Sequence, residues 1–173
     1  MSLAYTIRAE QPGDTIAIHD LVRRAFAPMP FSGGDEQDLV DALREAGDLT
    51  LSLVAVSPEG TVIGHIGFSP VTIDHQICHW FQMAPVSVIP ELQHQGIGST
   101  LIRAGIEQLR AAGASGVAVV GNPVYYERFG FAVAEGLAPE SAHDSAYFRV
   151  QVLAGEAPGG TLRYAPAFYG SPQ

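Results

Sequence analysis

The chain has 173 residues, of which 47% are hydrophobic and 16% are charged, and its formal net charge is −9. This composition is typical of a compact globular protein, and the length suits one domain over residues 1–173. An acidic chain without a basic stripe argues against a nucleic-acid surface, because phosphate contacts require clustered positive charge.

The first part of the chain predicts one strand and two helices. A strand is expected over Ala4–Ala9, followed by a turn and a helix capped by Asp14 or Thr15. Prolines and glycines interrupt the chain over 27–34, and a second helix follows and ends at Gly47. The apolar residues expected on the first helix's core face are Ile16, Ile18, Leu21, Val22 and Phe26.

Three strands and a glycine-containing loop are predicted next. Two apolar segments, 49–56 and 61–73, are interpreted as strands joined by a turn over 57–60. A third strand over 79–89 follows a polar turn. Two glycines then precede a helix that we expect to end at Gly113. The apolar spacing of this helix comes from Ile102, Ile106 and Leu109.

The C-terminal part predicts a buried strand, a short helix and two further strands. The continuous apolar segment 116–121 is typical of a strand covered on both faces and therefore parallel to a neighbour. Asn122 suits an N-cap and Pro123 the first helical position. Two more strands, over 146–153 and 161–168, are expected around a turn over 155–160. The predicted class is mixed α/β, with a largely antiparallel front half and a parallel pair at the centre.

The loop before the third helix has the pattern Gln93-x-x-Gly96-x-Gly98 and predicts an anion site. Glycines let the backbone approach a pyrophosphate, and the helix start adds N–H donors and a positive dipole end. A Walker loop would need a lysine after Gly98, and a dinucleotide fingerprint would need glycine in place of Leu101. Taken alone, the pattern is equally compatible with a turn that only reverses the chain.

A second motif, Tyr126-x-x-x-Gly130-Phe131, follows the buried strand. The two motifs in this order resemble the GCN5-related N-acetyltransferase (GNAT) superfamily, and the segments APVSVIPELQHQGIGSTLI and VVGNPVYYERFGF resemble its YhbS-like branch. The resemblance implies the GNAT fold, an α/β arrangement with a mixed central sheet, a splayed parallel strand pair at its centre and flanking helices. It also implies an acetyl-CoA-dependent N-acetyltransferase, in which a primary amine attacks the thioester directly.

The resemblance further implies which residues bind acetyl-CoA. The strand end before the loop would bind the pantetheine amides through its backbone, and an N–H near Val88 would stabilise the oxyanion. The loop would bind the pyrophosphate. The residues expected to bind the cofactor are Val86, Ser87, Val88, Gln93, His94, Gln95, Gly96, Ile97, Gly98, Ser99, Asn122 and Tyr126.

Two residues are expected to take part in the chemistry. Tyr126 falls at the position whose residue often protonates the departing thiolate in this superfamily. The expected role is a hydrogen bond to that thiolate, and the helix dipole is expected to ease loss of the phenol proton. The alternative is that Tyr126 only packs against the cofactor. An alkylamine is mostly protonated at pH 7, so a base is needed, and Glu36 is the candidate. A solvated acid at a helix start is the alternative for Glu36. His65 is expected to be a hydrogen-bonded strand histidine, with an acceptor-side base as its alternative.

No metal is expected, because on a strand the side chain of Cys78 points away from those of His75 and His79. Neither a signal peptide nor an apolar segment of membrane-spanning length is present, so a cytoplasmic protein without a membrane partner is predicted. The expected partners are acetyl-CoA and an amine acceptor, either a small molecule or a protein amine. The resemblance alone suggests a homodimer. The alternative function is a non-catalytic acyl-CoA-binding module or sensor.

Overall fold

The structure, a computed structural model, describes residues 4–29 and 32–170, and its strands form a mixed eight-stranded sheet. The strands are β1 (Thr6–Ala9), β2 (Leu51–Val56), β3 (Val62–Ile73), β4 (Gln76–Val88), β5 (Gly116–Val120), β6 (Leu137–Pro139), β7 (Phe148–Val152) and β8 (Gly160–Arg163). The helices are α1 (Thr15–Phe26), α2 (Glu36–Glu45), α3 (Ile97–Ala111) and α4 (Pro123–Glu127). The predicted mixed α/β class is confirmed. Within the described ranges, no helix is both long and apolar enough to cross a bilayer.

The backbone contacts divide the chain into two compact units. The first comprises Met1–Phe68 and Ala84–Gly105, and the second comprises Ser69–Met83 and Ile106–Gln173. Both β3 and β4 therefore contribute residues to each unit. The single domain over residues 1–173 stays a prediction.

In the first unit, β1, β2 and β3 pair antiparallel, as predicted for the front half. One face of these strands packs against α1 and α2, and the shared apolar cluster is Ile18, Val22, Val40, Val54 and Val56. The other face carries α3. A Cβ placed on Gly64 would lie 3.0 Å from side-chain atoms of both Ile97 and Leu101 of that helix. Opposite Gly64, the register places Ala55, one position from Val54, so the two helix layers cover opposite faces.

Two details of α1 differ from the prediction. Ile18, Leu21 and Val22 are buried as expected, but Ile16 is 83% exposed. Ile16 precedes Ile18 by two positions, which places it about 200° away around the helix. Asp14 makes no side-chain cap to α1; its carboxylate accepts hydrogen bonds from Arg8 and from the N–H of Gln11 instead.

The interrupted segment and the second helix follow the sequence closely. Within the interruption over 27–34, Pro30 and Phe31 lie outside the described residues. After α2, Gly47 adopts a φ of 77° and its N–H donates to the C=O of Arg44 at 3.1 Å. This left-handed residue ends the helix as predicted.

In the second unit, β4 pairs parallel with β5, Trp80–Gln82 lying opposite Gly116–Ala118, which confirms the parallel pair. β5 also pairs antiparallel with β7, while β8 pairs antiparallel with the end of β3 and parallel with β6. A Cβ on Gly116 would lie 2.4 Å from the indole ring of Trp80, so only glycine fits there. The core of this unit consists of Val71, Ile73, Trp80, Ala118, Leu137, Phe148, Val150 and Leu162.

The last two strands exist as predicted but are not partners of each other. β7 pairs with β5, and β8 pairs with β3 and β6. The predicted final strand is also shorter than expected, because Pro166 begins a 3₁₀ turn after Arg163. β6, a three-residue strand, carries too little pattern for the sequence to reveal it.

The basic residues of the chain are nine arginines, and lysine does not occur. Seven of these guanidinium groups form ion pairs with carboxylates: Arg8, Arg23, Arg24, Arg44, Arg110, Arg149 and Arg163. Exposed pairs of this kind contribute little stability each. The Arg44–Glu10 pair is more enclosed than most of these pairs, because its two side chains are only 23% and 14% exposed.

Candidate functional site

The glycine loop lies in the first unit, between the end of β4 and the start of α3. Gln93 follows a 3₁₀ turn, and its side-chain amide donates to the C=O of Val88 at 3.1 Å. His94 and Gly96 have φ values of 65° and 87°, so left-handed residues reverse the chain at this point. A Cβ on Gly96 would meet no atom within 4 Å; its backbone angle, rather than space, favours glycine.

The first turn of α3 presents backbone donors. The first i to i−4 hydrogen bond runs from the N–H of Thr100 to the C=O of Gly96 at 3.0 Å. The N–H groups of Ile97, Gly98 and Ser99 precede that bond and have no acceptor within the helix. Together with the positive end of the helix dipole, they suit an anion such as a pyrophosphate.

Two contacts that hold this loop escaped the sequence analysis. The hydroxyl of Tyr5 donates to Thr100 Oγ1 at 2.8 Å, and Thr100 Oγ1 donates to the C=O of Gly96 at 2.9 Å. Arg24, near the end of α1, forms an ion pair of 2.5 Å with Glu91, just before the loop. The two pairs are 95 and 67 residues apart in sequence, so no local pattern could have signalled them.

The end of β4 supplies the other predicted cofactor groups of the first unit. Val86 and Val88 are half-buried, whereas Ser87 between them is only 3% exposed. Its hydroxyl oxygen has no hydrogen-bond partner among the described residues. A buried hydroxyl without a partner costs free energy, and a ligand donor or acceptor would remove that cost.

Asn122 and Tyr126 lie in the second unit. Asn122 caps α4 as predicted, because its Oδ1 accepts a hydrogen bond from the N–H of Val124 at 3.1 Å. The ring of Tyr126 lies edge-on to that of Phe131, with centroids 6.0 Å apart. A Cβ on Gly121 would lie 2.6 Å from Cε2 of Tyr126, so glycine lets the ring approach the backbone. The sequence analysis missed this role of Gly121.

The acidity of Tyr126 differs from the expectation. Burial, with a smaller contribution from Tyr125, raises the pKa of Tyr126 to about 12. The helix dipole was expected to ease proton loss, but α4 has only five residues and the burial effect is larger. Transfer of a proton from such a phenol to a thiolate with a pKa near 8.5 is uphill by about 5 kcal/mol. Tyr126 is therefore suited to donate a hydrogen bond rather than to give up its proton.

Glu36 begins α2 in the first unit. Its carboxylate accepts a hydrogen bond from the hydroxyl of Ser32, whose oxygen in turn accepts from the N–H of Gly34. These contacts tie the carboxylate to the loop before the helix. They fit the interpretation of Glu36 as a helix-start acid, and its role as a base stays a prediction.

One side-chain group in the described part of the chain has the spacing of metal ligands. Ligand atoms of His19, Asp38 and Asp41 lie within 4.8 Å of one another. His19 Nδ1 is 2.7 Å from one oxygen of Asp41, and Arg44 donates to the other at 3.0 Å. The Asp41 carboxylate is thus already engaged on both oxygens, and this group is interpreted as an ion-pair cluster on the α1–α2 surface.

The sequence profile of the Acetyltransferase (GNAT) family matches residues 16–131. The match includes the glycine loop, α3 and the Tyr126 motif. The chain belongs to the GNAT family. The predicted resemblance to this superfamily is thereby confirmed.

Relatives within GNAT are similar over most of the chain. The Escherichia coli (strain K12) protein named "Uncharacterized N-acetyltransferase YhbS" is 41% identical over 128 residues, 74% of each chain. The crystal structure of GNAT family N-acetyltransferase (YhbS) from Escherichia coli in complex with CoA has a TM-score of 0.90 at 35% identity, covering 98% of this chain and 94% of that one. A GNAT family acetyltransferase from Brucella melitensis, solved in complex with acetyl-CoA, has a TM-score of 0.86 at 42% identity. The match covers 95% of this chain and 98% of that one.

Proposed function

We propose that this GNAT protein is an acetyl-CoA-dependent N-acetyltransferase in which a primary amine attacks the thioester directly. The observation that carries the proposal is the turn from β4 into α3. There, left-handed His94 and Gly96 lead directly into a helix whose first N–H groups have no acceptor within it. The cofactor is supported by two relatives at 35% and 42% identity, one solved with CoA and the other with acetyl-CoA.

The cofactor is bound mainly by backbone groups. Residues Gln95–Ser99 offer their N–H groups to the pyrophosphate, which gives an acidic chain a local positive potential without lysine. The backbone of Val86–Val88 pairs with the pantetheine amides, and an N–H near Val88 stabilises the tetrahedral oxyanion. Asn122 adds a side-chain contact to the pantetheine.

The reaction releases two protons from an alkylammonium acceptor. Glu36, by way of water, takes the first, which frees the amine lone pair for attack on the thioester carbon. The N–C bond then forms, and the C–S bond breaks with its electron pair left on sulfur. Tyr126 donates a hydrogen bond to that thiolate. The second proton passes from the nitrogen to solvent water as the amide forms.

Calorimetric titration tests the cofactor assignment. We expect acetyl-CoA and CoA to bind and NAD not to bind, because the loop lacks the third glycine of a dinucleotide site. If acetyl-CoA does not bind at millimolar concentration, the loop assignment fails, and with it the role of Tyr126. Binding without acetylation of any amine would instead favour the acyl-CoA-binding module.

The Glu36→Gln variant tests the acceptor side. We expect kcat/KM for the amine to fall by about tenfold or more, since a carboxamide cannot take a proton, while acetyl-CoA affinity stays unchanged. Asp35→Asn is the matched control, because it removes a carboxylate one residue away that is exposed and caps nothing. If the two variants lose kcat/KM equally, the loss comes from reduced negative charge at the start of α2, and Glu36 is not the base.

Two further measurements address the acceptor class and the assembly. A screen of small amines and peptides, read out by thiol release, separates a small-molecule acceptor from a protein amine. The proposed homodimer is tested by the mass of the protein in solution.

A further inference from the structure

A carboxylate in the second unit has one oxygen held in place and the other open. Asp144 is half-buried in a 3₁₀ helix over Ala142–Tyr147. Its Oδ2 accepts a hydrogen bond from the hydroxyl of Tyr164 at 3.2 Å, whereas its Oδ1 accepts none from any residue that the structure describes. A carboxylate fixed on one oxygen and open on the other can bind a cation from outside the chain.

The charge of Asp144 is not neutralised within the described part of the chain. Two arginines of the same unit pair with other carboxylates: Arg149 with Glu127 and Arg163 with Glu140. No ion pair in the described ranges includes Asp144, although seven arginines have such partners. An ammonium group would therefore find an uncompensated negative charge there.

Tyr164 fixes the orientation of this carboxylate. Its ring packs against the apolar core of the second unit and lies nearly parallel to that of Tyr169, with centroids 6.2 Å apart. Its backbone N–H donates to the hydroxyl of Tyr169 at 3.0 Å. Burial, together with the Asp144 carboxylate, raises the pKa of Tyr164, so the phenol keeps its proton and donates it to Asp144.

The 3₁₀ helix that carries Asp144 reaches the cofactor side of the unit. The C=O of Tyr147, its last residue, accepts a hydrogen bond from the N–H of Gly121 at 3.1 Å. Gly121 is the glycine against which the ring of Tyr126 lies. Asp144 precedes Tyr147 by three residues, which span about 6 Å in a 3₁₀ helix. Asp144 thus lies within the length of a small aliphatic molecule from the phenol assigned to the departing thiolate.

Asp144 and Tyr126 approach the end of β5 from opposite faces of the sheet. Tyr164, which binds Asp144, packs against the core that includes Val150 of β7. The neighbouring residue of β7, Arg149, points to the other face and meets α4 there. A molecule bound at Asp144 therefore approaches from the face opposite to the one toward which the thiolate leaves.

The nitrogen that attacks the thioester is not the group that suits Asp144. Attack requires a neutral amine, whereas a neighbouring carboxylate favours the ammonium form. A second alkylamine of the same acceptor has a pKa near 10.4 and stays protonated at pH 7. Such a distal ammonium can remain bound to Asp144 throughout the reaction.

We propose that Asp144 binds a second ammonium group of the acceptor and that the acceptor is a small linear diamine, an inference that rests on the proposed function. Asp144 is then a substrate-binding residue, and Tyr164 is a positioning residue that orients it. Because the distal ammonium is bound equally before and during the reaction, Asp144 lowers KM for the acceptor and leaves kcat unchanged.

Binding is measured first, by calorimetry on the protein saturated with CoA, and this needs no turnover. Putrescine, cadaverine and hexamethylenediamine are each compared with the monoamine of the same chain length. We expect at least one diamine to bind about tenfold or more tightly than its monoamine, and Asp144→Asn to remove that preference. If no diamine is preferred, or if the preference survives in Asp144→Asn, the proposal is overturned.

Glu156→Gln is the matched control. It removes an exposed carboxylate from the turn after β7, which lies beside the opposite end of β5, because Val152 pairs with Gly116. We expect this variant to keep the full preference for the diamine. An equal loss in Glu156→Gln and Asp144→Asn would assign the preference to the net charge of the protein and overturn the proposal.

Kinetics complete the test, with thiol release measured for the preferred diamine and its monoamine. We expect Asp144→Asn to raise KM for the diamine by about tenfold or more, with kcat and the acetyl-CoA Kd unchanged, and to leave both constants for the monoamine unchanged. Tyr164→Phe, which removes only the hydroxyl, should raise the same KM by about fivefold. A loss that affects the two amines alike would indicate damaged packing and overturn the role of either residue.

The outcomes separate this inference from the proposed function. If acetyl-CoA binds and the diamine and monoamine are acetylated with equal kcat/KM, the inference fails alone. A diamine that binds at Asp144 without being acetylated also overturns it. If acetyl-CoA does not bind, the proposed function fails as well.

Discussion

Replacement of Tyr126 by phenylalanine is expected to lower kcat by about 10- to 100-fold while acetyl-CoA still binds. A hydrogen bond to a charged group contributes about 1.5–3 kcal/mol, and each 1.36 kcal/mol corresponds to tenfold in rate. The thiolate acquires its charge only as the C–S bond breaks, so the loss falls on kcat rather than on ground-state binding. Thiol release measured at saturating acetyl-CoA, together with calorimetry, separates the two quantities.

Tyr125→Phe is the matched control for this result. Tyr125 is the neighbouring phenol, and its ring lies 4.5 Å from the guanidinium of Arg128 rather than in a position assigned to the cofactor. We expect its kcat to stay within about twofold of the wild type. Unchanged turnover in Tyr126→Phe would remove Tyr126 from the mechanism, and equal losses in both variants would indicate a packing effect.

Gly116→Ala is expected to produce the largest loss of stability. The new Cβ would lie 2.4–2.5 Å from three atoms of the Trp80 indole, whose side chain is 2% exposed. A buried fused ring cannot move aside without a large cost in free energy. The pairing of β4 with β5 also fixes the backbones of Trp80 and Gly116. Overpacking of this kind costs about 1–3 kcal/mol, which for this length corresponds to a fall in Tm of about 3–10 °C.

Gly13→Ala provides the control for the glycine substitution. A Cβ at Gly13 would meet no atom within 4 Å, and its backbone is not left-handed. We therefore expect its Tm to differ from the wild type by no more than about 2 °C. If the Tm of Gly116→Ala equals that of the wild type, Trp80 has another rotamer available.

Local patterns predicted most of the fold. The helix spacing of Ile102, Ile106 and Leu109 and the stop at Gly113 placed α3, and the cap at Asn122 placed α4. The strands were predicted from apolar runs, but the partners of β7 and β8 were not. Strand pairing depends on contacts between distant segments, which single-segment patterns do not encode.

The candidate site was predicted only where its residues share one motif. The glycine loop and Tyr126 each carry a local signature, so they could be named from the sequence. The hydrogen bonds that join Glu10, Ser52 and His65 could not, because Glu10 follows β1 while Ser52 lies in β2 and His65 in β3, and the three meet only in the folded sheet. The raised pKa of Tyr126 was also out of reach, since it arises from burial by the folded chain.

The absence of lysine has a consequence for a protein that handles an activated acetyl group. Arginine stays protonated at all physiological pH values and is a poor nucleophile toward a thioester. The nine arginines therefore give the protein its positive charges without offering acetyl-CoA a side-chain amine to modify. Apart from the α-amino group, the protein has no primary amine of its own. Any acetyl-lysine formed in a mixture with candidate protein acceptors must come from the acceptor, so an anti-acetyl-lysine readout has no contribution from self-modification.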